Sequence, residues 1–421
     1  MTERREPARA FVIGAGVAGL AAAVDLAGRG VRVELIEAAT QAGGRCRSYV
    51  DPVLEMMIDN GNHLILSGNQ ATLRYLAAIG AQDRVTGPGA CEFSFCDVRD
   101  DRRWTIRPNL GPLPWWVLDA DRRVPGTRAR DYLRLLALMG PQNDRRVEDA
   151  IPCAGPFWER LLAPLLLAAL NTDPAGASAA LAGAVIGETL ARGGRAYRPR
   201  IAHAGLSAAF VDPAISYIEE RGAVVRLGRR LRKLEFEQGC VRRLGFSDGE
   251  TTVGAADAVI LATPPWISQE LVPDLTVPDR YGAIVNGHFA MAPPAGAPQM
   301  VGVIGGAAEW IFAFPDRLSV TVSGAEAIID DDREVLARRL WRDVAKVHGL
   351  HGDLPACQIV KERRATFLAT PEQNARRPAA ETRWRNLFLA GDWTATGLPA
   401  TIEGAIRSGQ RAAALAQGSR H

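Results

Sequence analysis

Three glycines define the first site. Gly14, Gly16 and Gly19 follow a short apolar run, Ala10–Ile13, and precede an Ala-rich stretch from Leu20 to Ala27. That order predicts a strand, a tight turn and a helix. Gly14 permits the turn, Gly16 lets a pyrophosphate reach the backbone, and Gly19 lets helix and strand pack closely. Val17 and Ala18 open the helix, whose free amides and positive dipole end suit phosphate oxygens. Glu37 ends the alternating run Val31–Ile36, where a carboxylate accepts from a ribose diol. Together these features read as a βαβ dinucleotide site rather than a structural glycine turn.

A second pair, Gly43-Gly44, is followed by Arg45 and Arg47. It predicts another backbone segment at the phosphates, with arginines as counter-charges. An NAD site does not call for it, so the pair points to FAD; a solvated Gly-Gly turn is the alternative. Near the end of the chain, the apolar run Leu387–Ala390 leads into Gly391-Asp392. There a carboxylate can accept from a ribityl hydroxyl. Thr401, Ile402 and Glu403 open the last helix, whose dipole would favour negative charge on the pyrimidine edge of a flavin. Leu231, heading a strand, and Thr263, after the run Ala258–Ala262, complete the cofactor-contact candidates.

These residues need a scaffold. The expected class is α/β, with a Rossmann-like FAD-binding domain built from three chain segments, 8–61, 205–280 and 376–417. Two insertions, 62–204 and 281–375, would form a mixed α+β substrate-binding domain. Helices are predicted near 131–139, 157–170 and 332–348, and strands at 300–304, 310–314 and 318–322. The stretches 223–227, 231–237 and 241–245 also read as strands.

The 421 residues are 47% hydrophobic and 23% charged, a globular composition that excludes a disordered or fibrous chain. A net charge of +3 argues against nucleic acid as a partner. The six cysteines show neither CxxC pairs nor zinc spacing, so no metal site is expected and free thiols are the default. Met1–Ala10 is polar and carries no signal sequence. The apolar stretches 161–170 and 175–191 fall short of, or are broken within, the roughly 20 residues needed to span a bilayer. A cytoplasmic protein is expected, either free or peripheral on the cytoplasmic membrane face.

The motifs GAGVAGL, GGRCRS, LATPP and AGDW with EGAIRSG resemble the flavin-dependent amine oxidase and phytoene desaturase superfamily. More narrowly, Asp59 to Leu66 (DNGNHLIL), Arg364 to Phe367, Thr370 to Gln373 and Gly391 to Thr394 resemble the squalene-associated FAD-dependent desaturases. That group is understood as the hydroxysqualene dehydroxylases of bacterial hopanoid and squalene biosynthesis. The pattern departs at Asn62, where that family favours Gln. The resemblance implies that reduced FAD removes the allylic hydroxyl of hydroxysqualene, a hydrophobic isoprenoid, to give squalene. Protonated water would leave and hydride would take its place. The electron donor is unidentified, and Gly302–Gly306 lacks the pattern of a second dinucleotide unit.

The same resemblance brings the segment after Asp59 close to the flavin. It makes His63 the first candidate proton donor and Glu403 the second, with Asp59 fixing the turn or His63. A hydrogen-bonded structural histidine and a first-turn helix carboxylate are the alternatives. Trp104, Trp115, Trp116, Phe157, Trp158, Trp310, Phe312 and Phe314 would shield a carbocation or pack in the core. Trp393 would face the flavin or pack. Trp115-Trp116, with Leu161–Leu170, would dip into a bilayer or form an ordinary buried helix. Rival functions are a carotenoid or phytoene-type desaturase, a flavin amine oxidase using Lys361, and a non-catalytic FAD-containing lipid carrier.

Overall fold

The computed structural model describes residues 8–142 and 145–418, so most of Met1–Ala10 lies outside the described residues. Five parallel strands form one sheet, in the order Leu387–Leu389, Asp257–Leu261, Arg9–Ile13, Arg32–Ile36 and Val224–Arg226. They come from all three segments expected to bind the nucleotide. The middle strands are continuous apolar runs because a parallel sheet is covered on both faces. Helices Val17–Gly28 and Ile402–Gly418 pack together. A Cβ on Gly409 would lie 2.1 Å from the Ala18 carbonyl oxygen, so only glycine allows this approach. A three-stranded antiparallel sheet, Leu231–Glu237, Cys240–Phe246 and Gly249–Thr252, follows the crossover.

A second large sheet takes strands from both insertions. Its order is Cys357–Phe367, Tyr281–Phe289, Leu318–Val322, Trp310–Ala313, Met300–Ile304, Phe93–Asp97 and Arg102–Ile106. Helix Arg333–His348 covers one face. Asp332 caps its start, accepting from the Glu334 amide at 2.7 Å, and Gly349 ends it in the left-handed conformation (φ +62°). Leu336, Leu340, Trp341 and Val344 recur at helical spacing and bury against Val285, Phe289 and Val320. Strand alternation turns Asn286, His288, Ser319 and Thr321, with Trp310 and Phe312, to the other face.

Against that inner face lies a helical layer that includes Arg134–Met139, Ala163–Leu170 and Ala179–Glu188. Gly183 meets the Leu138 carbonyl so closely that a Cβ would sit 2.0 Å from its oxygen. One hydrophobic cluster runs from Trp116, Tyr132 and Leu138 through Leu162 and Leu166 to Phe367 and Trp393.

Burial separates the aromatic candidates. Trp104, Phe157, Trp158, Trp310, Phe312 and Phe314 all belong to this core cluster. Phe95 stacks on Trp104 with ring centroids 5.5 Å apart and meets Trp310 edge-on at 5.6 Å. Leu161–Leu170 is buried along one face, where Leu161, Leu162, Leu166 and Leu170 join the same cluster, while Ala168 is exposed. The Trp115-Trp116 pair divides: Trp116 is 4% exposed and Trp115 62%. No helix among the described residues is long and apolar enough to cross a membrane.

Candidate active site

The glycine loop forms a cradle with one open side. Gly14 (φ +107°) turns where a Cβ would meet the Ala262 carbonyl oxygen at 2.5 Å, and a Cβ on Gly19 would sit 1.9 Å from the Gly14 oxygen. Gly16 differs: nothing lies within 4 Å of its Cβ direction. Gly43 (φ +107°) donates its amide to the Ala15 carbonyl at 2.8 Å, bringing Gly43-Gly44 alongside Gly16. The amides of Val17 and Ala18 take no protein acceptor among the described residues. A pyrophosphate therefore meets bare backbone at Gly16, the second glycine pair and an open helix end. The residues present fit a dinucleotide.

Glu37 closes the adenosine end. Its Oε2 accepts from the Ala15 amide and its Oε1 from the Ala39 amide, both at 2.8 Å. Each oxygen keeps a lone pair for a ribose hydroxyl. The Arg229 amide donates to the Glu37 carbonyl at 2.8 Å, which sets buried Leu231 two residues further on beside this end.

At the opposite end, Asp392 Oδ2 accepts from Arg45 at 2.7 Å, and Arg45 also donates to the Ala365 carbonyl. Asp392 Oδ1 takes no protein donor among the described residues, leaving it for a ribityl hydroxyl. Gly391 donates its amide to Ser408 Oγ at 2.9 Å. Trp393 packs: its indole N–H donates to the Thr263 carbonyl at 3.1 Å, while the Thr263 hydroxyl pairs with Ser268 at 2.8 Å. Thr401 Oγ1 accepts from the Gly404 amide at 3.0 Å, and the Ile402 and Glu403 amides stay without a protein acceptor among the described residues.

Arg377 is a buried brace beside Asp392 that the sequence reading missed. It is buried, and its guanidinium donates to the Asp392 carbonyl at 3.1 Å, to Thr396 Oγ1 at 3.0 Å and to the Thr394 carbonyl. It braces the loop that presents Asp392. Burial pulls its pKa down to about 10, so it remains charged. Nothing in its local sequence, Arg376-Arg377-Pro378, distinguishes it from a solvated basic run.

The three candidate proton handlers occupy different environments. His63 Nδ1 lies 2.9 Å from the Gly61 carbonyl oxygen. A carbonyl can only accept, so Nδ1 carries the hydrogen and Nε2 is the atom that takes up or releases a proton. Burial lowers the His63 pKa, with the Arg45 charge acting in the same direction, so the resting ring is neutral. Asp59 Oδ1 accepts from Ser48 Oγ at 2.6 Å and from the Leu206 amide at 2.9 Å. These bonds pin the hairpin of Ser48–Asp51 and Met56–Asp59 to the next segment of the nucleotide-binding unit, and burial raises the Asp59 pKa. Its bonds brace the start of the strap that carries His63.

Glu403 is the most heavily hydrogen-bonded of the three. Its Oε1 accepts from the Ala71 amide at 3.1 Å and from Arg407 Nε at 2.8 Å. Its Oε2 accepts from the Thr72 amide at 2.8 Å and the Thr72 hydroxyl at 2.7 Å. A carboxylate holding four donors anchors the start of helix Gln70–Ala78.

The strap after Asp59 is tied to the inner face of the large sheet. Asn62 Nδ2 donates to Thr321 Oγ1 at 3.0 Å, Thr321 donates to Asn286 Oδ1 at 2.8 Å, and Asn286 donates to the Asn60 carbonyl at 3.4 Å. This network fixes the backbone that carries His63. Lys361 donates instead to the Asp331 carbonyl, which removes the residue an amine oxidase reading would use.

Comparison with known proteins agrees with this geometry. The profile of flavin containing amine oxidoreductases matches residues 17–416. The chain is 52% identical over 410 residues to the hydroxysqualene dehydroxylase of Sinorhizobium fredii, covering 97% of this chain and 98% of that protein. It is 52% identical over 405 residues to that of Rhodopseudomonas palustris, covering 96% and 97%. Among solved structures, cyclohexylamine oxidase from Brevibacterium oxydans superposes with a TM-score of 0.71 at 15% identity, covering 98% of this chain and 99% of that one. At that identity the likeness concerns the fold alone.

Proposed function

Because the chain belongs to the flavin-containing amine oxidoreductases and, within them, to the hydroxysqualene dehydroxylases, and is an FAD-dependent oxidoreductase, we propose that it converts hydroxysqualene to squalene. The observation that carries the chemistry is His63, with Nδ1 committed to Gly61 and Nε2 left to handle a proton. Protonated at Nε2, His63 gives its proton to the allylic hydroxyl; the C–O bond breaks and water departs. FAD, held here in its reduced form, would supply the hydride that replaces the hydroxyl.

The chain's other residues hold and shield. Glu37 takes the ribose, Gly16 with Gly43-Gly44 the pyrophosphate, and Asp392 the ribityl chain. The free Ile402 and Glu403 amides would favour negative charge on the pyrimidine edge of the ring. The aromatic inner face of the large sheet keeps water from a cationic centre. A separate reductant reloads the flavin, since Gly302–Gly306 is a strand end and hairpin turn, not a phosphate loop. Meeting a long hydrocarbon substrate at a membrane face is part of this reading.

The test is anaerobic. Dithionite-reduced holoenzyme mixed with hydroxysqualene should regain oxidised-flavin absorbance in step with squalene formation. Flavin that stays reduced, while phytoene or an amine bleaches the oxidised enzyme, would overturn the assignment. Flavin that no isoprenoid reoxidises or bleaches would instead support the lipid carrier.

A further inference from the structure

Large exposed apolar side chains are concentrated in one stretch of this chain. Leu113, Trp115, Leu118, Leu133, Leu136 and Met139 are each 46–65% exposed. On an ordinary soluble surface such residues are scattered singly, and a contiguous group marks a contact with another apolar phase. The segments that carry them meet: the Trp115–Leu118 turn packs on the Ala129–Leu133 turn, with the Trp116 ring edge-on to Tyr132 at 5.2 Å. Leu133, Leu136 and Met139 recur every third residue and share one side of Arg134–Met139. Beneath them Trp116, Tyr132 and Leu138 are buried, so the segment is apolar on both faces.

The rim is basic. Arg128 and Arg130 precede Leu133, and the Arg195 amide bonds the Leu110 carbonyl at 3.2 Å, placing Arg195 at the patch edge. All three guanidiniums are exposed and take no carboxylate partner among the described residues, although the Arg128 amide donates to Asp131 Oδ2 at 2.7 Å; Arg146, Arg192 and Arg363 are paired. An exposed Trp set among leucines, with unpaired guanidiniums of Arg128, Arg130 and Arg195 at its edge, matches the headgroup boundary of an anionic bilayer. The patch also covers the outer end of the cluster that reaches Phe367 and Trp393 at the candidate active site.

We propose that the surface formed by residues 110–139 docks on an anionic lipid bilayer, seating Trp115 and its neighbouring leucines at the acyl boundary, and that isoprenoid substrate enters from there. The entry route rests on the substrate reading above; the docking itself does not.

Co-sedimentation of the full-length holoprotein with phosphatidylcholine vesicles, with and without phosphatidylglycerol, tests the docking without any substrate. Wild type should sediment with the anionic vesicles, and salt should weaken binding. Trp115→Ser with Leu136→Ser, and separately Arg128→Ser with Arg130→Ser, should each reduce partitioning about tenfold or more. Both variants should keep bound flavin. They should turn over detergent-dispersed hydroxysqualene normally but vesicle-borne substrate slowly. Wild type left in the supernatant, or variants that sediment like wild type, would overturn the proposal. So would a solution dimer that dissociates in the Trp115→Ser, Leu136→Ser variant, since a second copy would then cover the face. Vesicle binding without hydroxysqualene turnover would keep the docking and remove the reaction.

Discussion

Replacing Glu403 by Gln separates anchoring from acid catalysis. The carboxylate satisfies the Ala71 amide, both donors of Thr72, and Arg407 Nε. A glutamine offers one acceptor oxygen and turns an N–H toward donors that already point inward. At least one buried donor loses its partner, a cost of about 1–3 kcal/mol. Arg407 keeps Glu188 at 3.1 Å but loses its nearer counter-charge. Glu403→Ala strips all four donors at once and should cost about 3–5 kcal/mol, the scale of a broken buried ion pair. Denaturant unfolding of the holoprotein, followed by circular dichroism, measures the loss. Single-turnover flavin reoxidation on the folded fraction measures the chemistry. Glu403→Gln should lower stability by the smaller amount and change the single-turnover rate by less than about tenfold. A general acid would contribute about 10²–10⁴-fold. Unchanged stability with a hundredfold slower reaction would refute the anchoring role.

Glu37→Ala and Asp392→Ala should each lose FAD on desalting, read from the ratio of flavin to protein absorbance; full retention in both would undo the cradle. His63→Ala should keep its flavin and slow dehydroxylation by about 10²-fold or more. Because burial holds the His63 pKa below its ordinary value, the protonated acid is lost as pH rises. Wild-type kcat/KM should therefore fall with rising pH through neutrality, and that slope should vanish in His63→Ala; an identical profile in both would remove His63 from the proton step. His288 is fully buried against Ser319, and burial pulls its pKa down to about 4. The unfolded chain takes up that proton near pH 6.5, so its contribution is intact above that value and is lost as pH falls toward 4, by about 3 kcal/mol. Chemical denaturation across that range should show a shallower loss in His288→Gln than in wild type; parallel curves would contradict the assignment.

The two parts of the site differ in what makes them local. Gly14, Gly16, Gly19 and Glu37 were legible because the backbone demands of a tight turn and an open helix end act within a few residues. The parallel strands were legible because burial on both faces leaves an apolar run such as Ala258–Leu261. Strand Tyr281–Phe289 was not legible, since Asn286 and His288 look like loop residues until Thr321 and Ser319 satisfy them across the sheet. Strand Cys357–Phe367 hides behind Lys361, Glu362, Arg363 and Arg364, charges that an edge strand tolerates.

The sequence alone determined that this chain cradles a dinucleotide, and the quoted motifs named the branch of flavoenzymes. Only the tertiary structure decided what the isolated polar and aromatic residues do. Asp392 meets Arg45 across 347 positions, and Glu403 meets Thr72 across 331. Adjacent Trp115 and Trp116 part to opposite sides of one turn. A carboxylate's role depends on which donors the folded chain brings within 3 Å, and a side chain's exposure on what packs over it. Neither quantity has a period or a spacing along the chain.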